Sequence, residues 1–442
     1  MKVFIDTLGC PKALVDAERL CYFIEKKHSL VSTPEDADVI VINTCGFIDK
    51  AKKENINTIL SYTELKKKNP SLKIIVSGCL SERYKNELFE AIPEIDAATG
   101  VRDFSKIADA ILKKDKQNLL DEGEFKDINF TLERNLYFSG LHYAYIKISE
   151  GCNRLCSFCT IPMIRGKQRS RKIKDIIKEA EMLKENGIEE LILISEDSIS
   201  YGIDLYGKKM LKDLIKSLSA LDFSWIRIMY LFPDDYIYEV VETMSSLNNV
   251  CKYLDIPLQH VSKRILASMN RNGGYKEYLE MINRLRKINP EVSLRSSFII
   301  GYPGETEKEF EELKNFLKEA NINRAGFFEY SDEEGTLSYK ITPKVKKSVI
   351  KSRLRELIKI QEEISKNNLK KYIGKKLKCI FDGSLSQKGK EVLIFRTEYD
   401  APEIDGVVKV SYHKRSDLNY EEAYREIKIV DSDSTDLYGV FV

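Results

Sequence analysis

The stretch Cys152-Asn-Arg-Leu-Cys156-Ser-Phe-Cys159 follows closely on an apolar run at 143–149. Three thiolates at this spacing can hold three irons of a four-iron cluster and leave the fourth iron open to a substrate. Structural zinc is the alternative for clustered cysteines. Zinc sites close with four ligands, however, and no further Cys or His follows nearby to complete one. Cys152, Cys156 and Cys159 are therefore expected as metal ligands.

Outward from this loop, residues 143 to about 331 alternate strand and helix patterns six times. The strands are expected at 143–149, 190–195, 225–231, 253–259, 293–301 and 325–330. Six such units fit an open, partial (β/α)6 barrel of the TIM type, whose site lies at the carboxyl ends of its strands. The cysteine loop stands at one such end. So do Glu196 and Asp197, Gln259 and His260, and the run Gly301-Tyr-Pro-Gly-Glu305. Acidic side chains can accept from an amino group or from ribose hydroxyls, and glycine lets the backbone approach a ligand. Glu196, Asp197, Gln259 and Gly301 are expected to bind a cofactor.

The first 130 residues repeat the alternation: apolar runs at 3–5, 39–42 and 74–76 precede helical stretches at 13–27, 49–68 and 81–91. This pattern predicts an open parallel α/β sheet. A cysteine follows each strand, in Thr7-Leu-Gly-Cys10, Asn43-Thr-Cys45-Gly46 and Ser77-Gly-Cys79. Ligands bind along the carboxyl edge of such sheets. Cys10, Cys45 and Cys79 are thus expected to meet there as a second metal-binding triad.

The remaining three of the nine cysteines read differently. Cys21 shares a helical face with Leu14, Ala17 and Ile24, and Cys379 alternates with Leu377 and Phe381, so both read as core. Cys251 has no partner spacing. With 71 Lys and Arg against 69 Asp and Glu, the net charge of +2 gives no global argument for nucleic acid or membrane. The amino terminus carries no apolar signal region, no run approaches a membrane span, and a cytosolic setting is expected.

Residues 344–371 read as a basic helical connector with ten Lys or Arg against three Glu. Short alternating strands follow from Gly374, at 376–381, 392–395, 407–410 and 427–430, the texture of a small β-barrel. From Gly374 to Val442 eleven basic residues face thirteen acidic ones, so this barrel is not a basic nucleic-acid clamp.

The three-cysteine run resembles that of the radical S-adenosylmethionine superfamily, and the order of segments resembles its methylthiotransferase family. That resemblance implies a fold class of α/β: an N-terminal domain (1–130) with an auxiliary iron-sulfur cluster, a radical SAM barrel (138–340), a connector (341–373) and a C-terminal TRAM domain (374–442). It implies two 4Fe-4S clusters and S-adenosylmethionine as cofactors, with Phe158 covering the adenine. Leu8-Gly-Cys-Pro-Lys12, Leu14-Val-Asp16, the run from Glu150 to Pro162, and Ala401-Pro-Glu-Ile-Asp-Gly406 resemble the branch acting on a ribosomal protein. Ala13 and Glu196 stand where that branch commonly has asparagine and glutamine.

The implied reaction converts an aspartate of small-subunit ribosomal protein S12 to its 3-methylthio form. One S-adenosylmethionine methylates a sulfur held at the first triad. A second is cleaved at the other triad and takes hydrogen from the aspartate β-carbon. No protein general base is expected, and flavodoxin or ferredoxin is the expected electron donor. A tRNA methylthiotransferase is the alternative, with Arg165, Lys167, Arg169, Arg171 and the connector as its RNA contacts. An iron-sulfur electron carrier is the other, though a carrier has no need of an open iron.

Overall fold

The computed structural model describes residues 1–101, 105–113, 115–120, 133–387, 390–411 and 422–442. In the first segment the strands Lys2–Thr7, Val39–Thr44 and Lys73–Gly78 alternate with the helices Pro11–Glu25, Asp49–Lys68 and Cys79–Ala91. All pairings are parallel. The central strand is buried along its whole length because both sheet faces are covered. Val39 and Val41 pack with Leu20 and Ile24, while Ile40 and Ile42 pack with Ile59 and Leu88 on the other side, as a period of two requires. Three two-residue strands, Ser29–Leu30, Ala97–Ala98 and Gln117–Asn118, extend the sheet to six. They are too short for any periodicity to announce them. The expected domain limit near residue 130 lies outside the described residues.

The central strands are Tyr143–Lys147, Glu190–Ile194, Trp225–Ile228, Tyr253–Asp255, Ser293–Ile300 and Arg324–Glu329. Parallel ladders join the first three and the last three. Between these halves Ile226 N donates to Asn249 O at 2.7 Å and Leu231 N to Asp255 O at 2.8 Å. The first and sixth strands have no ladder between them among the described residues, so the barrel is open. Residues such as Ala144, Ile146, Leu191, Leu193, Ile226 and Ile228 face the surrounding helices. Their alternates, including Tyr143, Tyr145, Ile192, Ile194 and Trp225, fill the interior.

The helix Lys347–Lys370 buries Ile350, Arg353, Leu357, Gln361, Ser365 and Leu369, a stripe at helical spacing. Beyond it the strands Lys376–Gln387, Lys390–Thr397, Val408–Ser411, Tyr424–Ser432 and Leu437–Phe441 close into a barrel. The last strand adds to the four read from sequence. This small barrel stops the amino ends of the central strands. Ile380 and Ala401 join the core of Tyr143, Trp225 and Tyr253. Glu190 accepts from Arg227 Nε at 2.7 Å and from Arg396 Nη2 at 2.5 Å. In the run 401–406, Asp405 accepts from Tyr253 Oη at 2.6 Å. No described helix is long and apolar enough to cross a membrane.

Candidate functional site

The three N-terminal cysteines sit where their strands give way to helices: Cys10 caps the helix Pro11–Glu25, Cys45 follows Val39–Thr44, and Cys79 opens Cys79–Ala91. Adjacent glycines let these turns touch. A Cβ on Gly9, whose φ is +128°, would lie 2.9 Å from Cys45 Cβ, and one on Gly46 would lie 2.8 Å from Cys79 O. The Cys10 turn therefore packs on the Cys45 side chain and the Cys45 turn on the Cys79 backbone, which gathers the three turns at one rim. Cys10 and Cys45 are half-buried and Cys79 is buried. Burial pushes the Cys79 thiol up to about 12, with Arg165 opposing.

The second triad lies in the loop after the first barrel strand. Cys152 is buried and accepts from Arg154 N at 3.3 Å; Cys156 and Cys159 are half-buried. Arg271 Nη1 approaches Cys156 Sγ at 3.6 Å. Burial again pushes the Cys152 and Cys159 thiols up to about 12. Such thiols stay protonated unless a metal ion replaces the proton. Among the described residues, no three His, Cys, Asp or Glu side chains converge closely enough to hold a single metal ion. Cysteines on a cluster bind separate irons and need not converge in that way. The donor set thus fits two clusters of the three-cysteine type.

Between the triads lies a buried ionic group absent from the expectations above. Arg165, in the short helix after Cys159, donates through Nη2 to Cys79 Sγ at 3.3 Å and to Asp16 Oδ2 at 3.1 Å, and through Nη1 to Glu150. Lys147 pairs with the same Asp16 and with Glu150 at 2.9 Å. Two cations and two carboxylates, each about 2% exposed or less, balance one another, which is what makes their burial tolerable. Burial alone would raise the Glu150 carboxyl, but Lys147 and Arg165 outweigh it and hold it far below the usual range. One guanidinium thus joins a ligand of the first triad to the loop of the second. Arg165 was legible only as a basic residue; nothing in the sequence tied it to Cys79.

Of the expected cofactor residues, Asp197 accepts from Arg154 Nε at 2.7 Å and from Ser200 Oγ at 2.6 Å, while its Oδ1 is buried without a partner. The side chain of Glu196 is 5% exposed, and both of its carboxylate oxygens lack hydrogen bonds. Burial raises its carboxyl, with Lys12 opposing. Two buried acids at the strand ends thus keep oxygens free of hydrogen bonds, with Glu196 Oε1 lying 3.9 Å from Arg165 Nε. Gln259 adopts φ +70° beside the fifth strand. Gly301, at φ +80°, donates its N–H to Glu305, and a Cβ there would strike Ile350 of the connector. Phe158 is half-buried against the barrel core. His260 is buried, its Nδ1 accepting from Ser262 N at 3.0 Å and its Nε2 3.7 Å from Glu305. Cys21, Cys251 and Cys379 are core residues.

The basic residues offered as RNA contacts are largely engaged inside the protein. Arg165 is bound as above, and Arg171 pairs with Glu179 at 2.5 Å and donates to Lys147 O. Lys167 alone of the four is exposed.

Family models match along the chain: the Radical SAM superfamily at residues 146–317, Uncharacterized protein family UPF0004 at 2–100, and the TRAM domain at 373–442. The ribosomal protein uS12 methylthiotransferase RimO of Thermoanaerobacter sp. (strain X514) is 45% identical over 93% of this chain and 94% of its own length. That of Thermosipho africanus is 42% identical over all of both. Among solved structures, the radical S-adenosylmethionine methyltransferase TsrM from Kitasatospora setae, with tryptophan substrate and a SAM analogue bound, superposes with a TM-score of 0.54. It covers 74% of this chain and 72% of its own at 12% identity, a likeness of fold alone. Taken with the two cysteine triads, identity sustained over the whole length means that the chain belongs to the radical S-adenosylmethionine methylthiotransferase family, in its RimO branch.

Proposed function

We propose that the protein methylthiolates the β-carbon of an aspartate in small-subunit ribosomal protein uS12, using one 4Fe-4S cluster on Cys152, Cys156 and Cys159 and an auxiliary one on Cys10, Cys45 and Cys79. The observation that carries this reading is the arrangement of six cysteines at the strand ends of two adjoining sheets, with Arg165 bonded to Cys79 across the gap. When bound, these clusters and S-adenosylmethionine supply electron transfer, radical hydrogen abstraction, the methyl group and the sulfur.

The chain's own part is to bind, orient and exclude water. Glu196 and Asp197 offer idle buried oxygens to the amino and hydroxyl groups of S-adenosylmethionine. Gln259 and the Gly301 turn line the same strand ends, and Phe158 stands beside Cys159 for the adenine face. The neutral group of Asp16, Lys147, Glu150 and Arg165 fixes the spacing between the triads without leaving a free charge to compete for the substrate. No side chain is required as a general base, since a hydrogen atom rather than a proton leaves the carbon. A cytosolic flavodoxin or ferredoxin is the proposed donor of electrons, and segments 1–130, 138–340, 341–373 and 374–442 are the proposed domains. The internal pairing of Arg165 and Arg171 weighs against a tRNA substrate.

Triple Cys→Ala variants test the division of labour. After anaerobic reconstitution, loss of Cys152, Cys156 and Cys159 should halve the iron content and abolish release of deoxyadenosine. Loss of Cys10, Cys45 and Cys79 should halve the iron and leave that release intact. Equal iron in either variant and the full protein would overturn the assignment.

A further inference from the structure

Lys12 is a buried cation with no directly bonded acceptor among the described residues, its nearest opposite charge being Glu196. It lies in the first turn of the helix Pro11–Glu25, two residues beyond Cys10, and is 8% exposed. Among the described residues its Nζ has no hydrogen-bonding or ion-pairing acceptor; it rests 3.9 Å from the centroid of the Tyr230 ring. Tyr230 follows the third barrel strand in a left-handed conformation, φ +61°, held by its N–H on Asp255 Oδ2 at 3.1 Å and by its carbonyl accepting from Ser198 N at 3.1 Å. A tyrosine seldom adopts that φ without cause, and here the turn lays its ring beneath the ammonium. Lys12 therefore projects from the helix capped by Cys10 over the mouth of the barrel that carries the other triad. The nearby carboxylate of Glu196 acts on it only through space.

The cations nearest to Lys12 are already held by carboxylates, while Arg271 stands on Cys156 Sγ and Pro257 O. Arg165 and Lys147 share Asp16 and Glu150, and Arg154 is spent on Asp197 and Ser200. A largely buried ammonium stacked on a ring gains some attraction from the π face, and its N–H donors have no protein acceptor among the described residues. A carboxylate arriving from outside would fill them and be held strongly, since both groups are desolvated.

We infer that Lys12, floored by Tyr230, is the receptor for the side-chain carboxylate of the substrate aspartate and so selects aspartate over its neutral isosteres. The inference rests on the function proposed above. The reacting β-carbon must lie between the two triads, and the carboxylate carbon is bonded directly to it. The anion is therefore confined to the gap that Lys12 overhangs. Lys12 is a substrate-binding and specificity-determining group, not an acid or base.

The test uses the full-length reconstituted protein and two peptides spanning the uS12 loop, one with the aspartate and one with asparagine in its place, with peptide dissociation constants and S-adenosylmethionine affinity measured separately. The unmodified protein should bind the aspartate peptide at least about 30-fold more tightly than the asparagine peptide. K12Q should lose most of that preference while keeping its iron content and its affinity for S-adenosylmethionine, and K12R should restore part of it. Retained preference in K12Q would overturn the inference. So would weakened S-adenosylmethionine binding with peptide discrimination intact, which would give Lys12 to the cofactor carboxylate. If a parallel turnover with S-adenosylmethionine and dithionite leaves the aspartate peptide unaltered, the proposed function itself fails and this inference with it.

Discussion

At the scale of single residues, the molecule solves one problem repeatedly: how to bury charge inside an α/β protein. Glu190 shows the solution at the base of the barrel, where Arg227 and Arg396 converge on one fully buried carboxylate. Burial disfavours the charged form, but the two guanidinium groups prevail and hold its carboxyl below the ordinary value. A carboxylate lowered in this way stabilises the fold fully above its unfolded pKa of about 4.3 and loses that contribution as pH falls through the folded value. Stability should thus be level above about pH 5 and fall steeply below about pH 4. In Glu190→Gln that acid limb should be shallower, and stability at pH 7 lower by about 3–5 kcal/mol, because two buried cations lose their partner. Trp225, the single tryptophan, packs edge-on to Tyr424 across the same junction with ring centroids 4.9 Å apart. Its emission during urea titration reads the change directly.

Single residues were also where the sequence was least informative. The cysteines announced themselves by spacing and by their position after strands. Asp16, Lys147 and Glu150 did not, because a charged residue between apolar neighbours reads alike whether it faces solvent or a partner from another segment. Part of the acidity counted for the C-terminal segment likewise turns inward: Asp382, Asp400 and Asp405 meet Arg396, Arg324 and Arg295. The segment's net charge therefore says less about its outer surface than the count implied.

Among elements, the strands that matter to the site were legible and their edges were not. The three long N-terminal strands and all six barrel strands stand where apolar runs placed them; those buried along their whole length, such as Val39–Thr44 and Glu190–Ile194, could not conceal their composition. The third and fourth barrel strands end earlier than expected, at Ile228 and Asp255. Beyond the third, Tyr230 turns out of the ladder to meet Lys12. The turn at Cys45 carries an element-level prediction. A Cβ on Gly46 would stand 2.8 Å from Cys79 O and from Leu80 Cα, both backbone atoms that cannot rotate away. Gly46→Ala should wedge the Cys45 turn from the Cys79 turn and lower reconstituted iron from about eight to about four atoms per chain, with deoxyadenosine release preserved. Full iron loading in that variant would show that the close contact is not needed for the auxiliary site.

Over the whole molecule, function depends on holding two sheets in a fixed relation, and the contacts that do so come from residues distant in sequence. Glu333, 1% exposed in the loop after the sixth barrel strand, receives Lys52 at 2.9 Å and Arg83 at 2.6 Å from the N-terminal segment. Arg83 also donates to Gly46 O at 2.9 Å, carrying the linkage to the Cys45 turn. Glu333→Ala leaves both cations without their carboxylate. Hydrogen exchange should quicken in the first turns of Asp49–Lys68 and in residues 331–336, and remain unchanged in the C-terminal barrel strands. The small barrel, for its part, plugs the amino ends of the central strands, opposite the cysteine loop.

The most direct test of the proposed chemistry is mass spectrometry of the reconstituted protein after anaerobic reaction with S-adenosylmethionine, dithionite and either a uS12 loop peptide or unmodified tRNA. A single methylthio group gained on the peptide aspartate, with tRNA unchanged, is the expected result. The same group found on tRNA with the peptide unchanged would contradict it.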